Sequence, residues 1–209
     1  MSYGNKKEMR FASEIRADAS GSGKKLSGYA SVYGVEAKIG DMFREVIMPG
    51  AFDMCLSSDP DVRCLWNHDD NVILGRTSSG TLRLKSDKRG LFYEVDLPNT
   101  QAANDLWESV KRGDVSQSSF GFTCSSETWE TPSKPGELAL RKVEAADVFD
   151  VSPVAFPAYE AASVNARSLF PEGFPDGIEK RSGVEKYLPG KESDPLEVRL
   201  MIARMFHGN

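Results

Sequence analysis

Histidine is scarce in this chain: 209 residues hold only two, His68 and His207. Cysteine is nearly as rare, with Cys55, Cys64 and Cys124. Three thiols cannot all pair within one chain, and with two histidines they offer no zinc-like spacing. Neither a disulfide framework nor a metal site is therefore expected, and a reduced, cytosolic setting fits best. No run of about 18 apolar residues occurs, so no transmembrane helix is expected. The polar stretch Met1 to Arg10 lacks the apolar core of a secretory signal. Nor is positive charge in excess: 26 basic against 31 acidic side chains leave a net charge of −5. That balance argues against a nucleic-acid partner, because phosphate binding wants a basic face. Nothing suggests an organic cofactor, and there is no internal repeat or low-complexity tract.

What is present suffices for a core: 40% of the residues are hydrophobic and 27% charged, and the length suits one domain of roughly 150 residues plus tails. Short alternating segments separated by Gly, Asp and Ser predict strands at 9–16, 26–33, 43–48, 62–66, 73–77, 82–85 and 91–97. Asp87-Lys88-Arg89-Gly90 reads as a hairpin turn, and 51–56 as a short helix with Phe52 inward. Residues 100–112 form the clearest helix, with Ala103, Leu106, Trp107 and Val110 on one stripe. Thr100 or Asn99 can cap it and Gly113 ends it. Strands at 115–125 and 138–156 follow, the second long enough to bend, with a Pro/Ser/Gly linker at 130–137. The prediction is an α+β, mainly β domain within residues 1–165. Beyond it, 166–209 read as a flexible linker rich in Pro and Gly, then a short amphipathic helix opened by Pro195.

The scarcity of histidine concentrates attention on His68, because His207 is the third residue from the end of the sequence. His68 follows an apolar strand, and an imidazole there suits proton transfer near neutral pH. As a bland alternative it bonds to Asp69 or Asp70 in a turn. Ser119 sits in Ser118-Ser119-Phe120-Gly121-Phe122, where Gly121 allows a close approach beside the serine. A serine becomes a nucleophile when a base reaches it, but strand serines are usually bystanders. For an acidic third member the candidates are Glu144, Asp147 and Asp150. Simple alternation puts Val148, Asp150 and Ser152 on one face and Asp147, Phe149 and Val151 on the other, without saying which meets a cleft.

Five blocks in order carry a resemblance: Gly28-Tyr29-Ala30-Ser31-Val32-Tyr33-Gly34, Pro49-Gly50-Ala51-Phe52, Leu65-Trp66-Asn67-His68-Asp69, Ser119-Phe120-Gly121-Phe122, and Asp150-Val151-Ser152-Pro153-Val154 with Phe156-Pro157-Ala158. Over residues 8–165 the chain resembles the prohead, or capsid maturation, serine proteases of tailed bacteriophages. The resemblance implies a fold related to herpesvirus assemblins, a seven-stranded β-barrel core with surrounding helices. It implies an endopeptidase that digests scaffold protein, or a scaffold segment of the major capsid protein, inside the immature capsid in the host cytoplasm, and that often trims itself. Self-association is a further implied partner. Carried over by position, Ser119 matches the nucleophile and His68 the general base. Asp150 stands where the family more often has Glu, one methylene longer, which keeps Asp147 open for the third role. Ser118 departs from the usual large apolar residue and is a decoy. The turn from Pro153 to Ala158 is one guess for the oxyanion donors, and 166–209 would be a targeting or self-cleaved tail. Two other readings compete: a non-enzymatic scaffold or capsid accessory, and a β-rich binding module whose serine and histidine are incidental.

Overall fold

Short strands closed by Gly and Asp turns dominate from Lys7 to Val154, as the alternation predicts. The computed structural model describes residues 7–13, 15–18, 23–134 and 136–156, with backbone alone at 11–13. The expected linker and terminal helix at 166–209 lie outside the described residues. The strands are β1 (Lys7–Ser13), β2 (Ile15–Asp18), β3 (Lys25–Val32), β4 (Glu36–Ile39), β5 (Phe43–Ile47), β6 (Arg63–Trp66), β7 (Asp69–Arg76), β8 (Leu82–Ser86), β9 (Gly90–Asp96), β10 (Gln117–Glu130) and β11 (Leu140–Val154). Two helices, α1 (Asp53–Ser57) and α2 (Gln101–Arg112), complete the described elements, and neither is long and apolar enough to cross a membrane.

Local chemistry accounts for most boundaries. Thr100 Oγ1 accepts from the Ala103 N–H at 3.4 Å, and Gly113 closes α2 at φ 83°, the left-handed geometry that favours glycine. Ala103, Leu106, Trp107 and Val110 are its buried stripe. At the β8–β9 hairpin, Asp87 Oδ1 accepts from the Arg89 and Gly90 N–H groups, a side-chain mimic of a backbone turn. Two departures stand out. The single strand expected at 9–16 splits into β1 and β2, which belong to different sheets. The short exposed β4 was not expected: Glu-Ala-Lys-Ile alternates over only four residues, and Glu, Ala and Lys are depleted in strands.

Seven strands form a mixed sheet in the order β1-β10-β11-β5-β4, with β6 on β11 and β7 on β6. Four form an antiparallel sheet, β2-β3-β9-β8. The expected seven-stranded closed barrel is thus corrected to two sheets: among the described residues no ladder joins the ends of either. The physical reason lies in β11, which pairs β10 along its length and then forks, running parallel to β5 at 140–143 and to β6 at 150–151. A forked sheet covers its inner face with a second layer rather than curling shut. Phe120, Phe122, Val143, Val148 and Val151 of the large sheet share one core with Leu26, Ala30, Leu91, Tyr93 and Val95 of the small one. Phe52, inward as expected and fully buried, meets Phe120 edge-on at 5.6 Å.

The simple alternation predicted for β11 fails at one place. Gly121 pairs with Asp150 but Phe122 pairs with Val148, so Phe149 is an extra residue in the ladder. Directly opposed residues share a face. Val148 therefore joins Phe122 in the core, whereas Asp150 joins Gly121 on the opposite face. A β-bulge of this kind re-aims the side chains around it.

Candidate active site

β6 and β7 are joined by a two-residue loop, Asn67-His68, with both residues left-handed at φ 53° and 58°. This is the turn that matches strand twist, and Asn favours its first position. His68 at its second position is a cost of roughly 1–2 kcal/mol, and such costs cluster where a side chain must be aimed. Asn67 anchors the turn to the end of β11: its N–H donates to the Pro153 carbonyl at 3.0 Å, and its Oδ1 accepts from the Ala155 N–H at 2.9 Å. The imidazole thereby projects over β10 and β11.

There His68 Nδ1 lies 2.6 Å from Asp150 Oδ1, and Nε2 lies 2.6 Å from Ser119 Oγ. A carboxylate only accepts, so the Nδ1 proton points to Asp150 and the Nε2 lone pair faces the serine. Ser119 is fully buried and Asp150 nearly so, while the His68 side chain keeps 14% of its surface exposed. Ser119 Oγ also sits 2.8 Å from the Arg10 carbonyl of β1. One hydroxyl proton thus has two acceptors, an imidazole and a peptide oxygen. The Asp150 carboxylate is held further by Ser152, whose Oγ donates to Oδ1 at 2.9 Å. Gly121 leaves room for the other oxygen, since a Cβ there would lie 2.2 Å from Asp150 Oδ2 and 2.4 Å from the Phe149 ring.

The structure thus brings Ser119, His68 and Asp150 together and leaves the other candidates outside. Asp147 is exposed. Glu144 is also exposed and accepts from Ser126 and Thr128. His68 does not bond to Asp69, which instead accepts from Asn71. Ser118 points the other way, into the core, and bonds to the Tyr93 hydroxyl at 2.7 Å. In the turn after β11, the Ala155 N–H is taken by Asn67 and is not free for an oxyanion. Cys64, fully buried on β6, has its thiol pushed up by burial and by the neighbouring Asp150 charge, so it stays protonated and offers no rival nucleophile. Among the described residues no group of three or more His, Cys, Asp or Glu is placed to hold a metal ion.

Sequence reasoning missed Asn67, Ser152 and the Arg10 carbonyl. Asn67 leaves a partial mark, since asparagine favours the first position of a two-residue hairpin turn, but the polar Asp69-Asp70-Asn71 that follows hides the start of β7. Ser152 was already on the face of Asp150 by simple alternation, and a backbone carbonyl leaves no mark in a sequence.

The caudovirus prohead serine protease family model matches residues 11–171. The match spans most of the chain, which belongs to this family and is a phage prohead maturation protease. The solved structure of the bacteriophage T4 capsid assembly protease is similar at a TM-score of 0.48 and 10% identity, covering 73% of this chain and 100% of that one. No curated protein matches.

Proposed function

We propose that the chain is a serine endopeptidase with Ser119 as nucleophile, His68 as general base and then general acid, and Asp150 as the group that fixes the imidazole. The observation that carries this reading is the continuous hydrogen-bonded line Asp150–His68–Ser119, both of its links 2.6 Å long. In the reactive arrangement the Ser119 proton goes to Nε2 and not to the Arg10 carbonyl. Oγ then attacks a peptide carbonyl as His68 takes the proton, and His68 returns it to the leaving amine. Asp150 holds the Nδ1–H tautomer and stabilises the imidazolium that forms. Water repeats the sequence on the acyl-enzyme. Asp150 fills the role despite being shorter than glutamate because the bulge at Phe149 and the missing side chain at Gly121 bring its carboxylate to the imidazole.

The substrates are the scaffold protein, or the scaffold segment of the major capsid protein, within the immature capsid, and the protease itself at its own termini. Residues 166–209 act as a targeting or self-cleaved tail. Incubation with the cognate scaffold tests the reading: wild-type protein shortens the scaffold and itself, whereas Ser119→Ala and His68→Ala do neither while keeping a wild-type circular dichroism spectrum. Scaffold cleavage by Ser119→Ala would overturn it. Truncation near Asn165 leaves peptide hydrolysis intact and lowers the number of protease copies in purified proheads; an unchanged copy number would remove the targeting role.

A further inference from the structure

Asp150 has two carboxylate oxygens that rotation about one bond exchanges, yet only one of them faces His68. Two features decide which. Oδ1 accepts both from His68 Nδ1 at 2.6 Å and from Ser152 Oγ at 2.9 Å. Oδ2 lies beside Gly121, where an absent side chain leaves room but no wall. Ser152 is fully buried, and a buried hydroxyl left without a partner costs about 1–3 kcal/mol. Its single proton goes to Asp150, although Ser119 stands directly across from it in the β10–β11 register. Regular pairing of Ser119 with Ser152 and of Gly121 with Asp150 puts these four residues on one face, and the bulge at Phe149 sends Val148 to the other.

We propose that Ser152 is a positioning residue of the prohead protease, pinning Asp150 Oδ1 toward His68 and moderating its charge. The inference rests on the triad reading given above. Without the Ser152 hydroxyl, the carboxylate is free to turn, and its charge concentrates on the oxygen that faces the imidazole. A more concentrated charge holds the protonated imidazole more tightly, so the base becomes available only at higher pH. Besides His68, the charged and titratable neighbours of Asp150 are Arg63, opposite it in the β11–β6 register and paired with Asp61, Lys7, whose ammonium lies 4.8 Å from the centre of the Phe149 ring, and Cys64 of β6. Held as a neutral thiol, it does not titrate in the working range.

The test uses a fluorophosphonate, whose phosphorus bonds to the oxygen of an activated serine with loss of fluoride and without requiring the natural substrate sequence. The full chain and its Ser152→Ala and Ser152→Cys variants are labelled between pH 5 and 9, with thermal unfolding followed in parallel. Ser152→Ala is expected to label about 10–100-fold more slowly, the scale seen when the partner that orients a metal-ligating side chain is lost. The acid limb of its profile should move to higher pH. Ser152→Cys, nearly the same size but a weaker donor, should fall between. Wild-type labelling rate and wild-type acid limb in Ser152→Ala would overturn the proposal. A slowing that follows only the loss of folded protein, with the limb unmoved, would overturn it too, since a packing role predicts that result. Labelling of Ser119→Ala at the wild-type rate is a separate outcome: it would overturn the triad reading and this inference with it.

Discussion

Two buried polar clusters sit back to back on the large sheet. On the face shared with Phe122 lie Glu8, Arg10, Glu45 and Arg141, all nearly inaccessible to solvent. Arg141 reaches Glu8 at 2.5 and 2.9 Å and Glu45 at 2.9 Å; Arg10 reaches Glu8 at 2.7 Å and Glu45 through both its Nε and an Nη. On the other face lie His68, Ser119, Asp150 and Ser152. The first cluster is saturated: its guanidinium forks are matched by carboxylates, as dry ion pairs require. The second is deliberately short of protons, with one serine hydrogen between two acceptors, and it reaches solvent through His68. Arg10 belongs to both, its side chain to one cluster and its carbonyl to the other. Saturation builds a fixed frame, and a proton shared between two acceptors builds a reactive centre.

The largest effect expected on either face is chemical. Asp150→Asn should lower turnover about 10⁴-fold, the scale seen when a triad acid loses control of the tautomer, with little change in urea midpoint. Asp147→Asn, exposed and remote from His68, should leave turnover near wild type; a reversed ranking of the two would reassign the acid. Arg141→Met should do the opposite on the other face. It strands buried carboxylates and costs about 3–5 kcal/mol, a large part of a typical domain's stability, read as a lowered urea midpoint. If Arg141→Met keeps its midpoint and loses activity instead, the division of labour between the faces is wrong.

Gly121→Ala lies between the two in kind and comes next in size. Its methyl must displace the Asp150 carboxylate or the Phe149 ring, and misplacement by about 1 Å can cost about 10²-fold in rate. The expected signature is reduced kcat with the fold retained.

Acid sharpens the contrast further. Burial alone would raise the Glu45 carboxyl, but the charges and hydrogen bonds of Arg10 and Arg141 outweigh it and hold it below the ordinary glutamate range. A depressed carboxylate contributes stability above its unfolded value, near 4.3, and loses it as pH falls through the folded value. Stability should therefore be level from neutral pH to about 5 and decline below about 4. Glu45→Gln, less stable at neutral pH, should show a shallower decline in urea titrations over that range. The smallest effect is far from both clusters: Thr100→Ala removes the α2 cap and should cost about 1 kcal/mol, measured by the same unfolding curves.

Much of this arrangement was legible before any coordinates. The one histidine within the predicted domain and the Ser119-Phe120-Gly121-Phe122 block pointed to His68 and Ser119, which the structure brings together, and the α2 stripe and cap were read residue by residue. The acid stayed open between Asp147 and Asp150 because alternation put them on opposite faces without saying which meets a cleft, and because Asp150 is a methylene shorter than the family's usual Glu; the extra residue at Phe149 does not show in a pattern of period two. The ion-pair cluster was illegible for a related reason. Glu8, Arg10, Glu45 and Arg141 look like solvated charges in sequence, and only the pairing of β1, β5 and β11 with their neighbours shows that they neutralise one another. The closed barrel was inherited from a resemblance, and the fork in β11 is not written in any local pattern.

The fork also sets a timetable. The hydrogen bonds of the site join residues 51, 82 and 109 positions apart in the chain, and β11, which supplies Asp150, is the last strand among the described residues. Pairings so distant in sequence close slowly compared with local ones, and the ribosome adds only about 5–20 residues per second. A growing chain that has already exposed β6 and β10 holds a histidine and a serine with no carboxylate to align them. The hydrogen-bonded line from Asp150 to Ser119 is thus completed only after β11 has paired with β10 and β6.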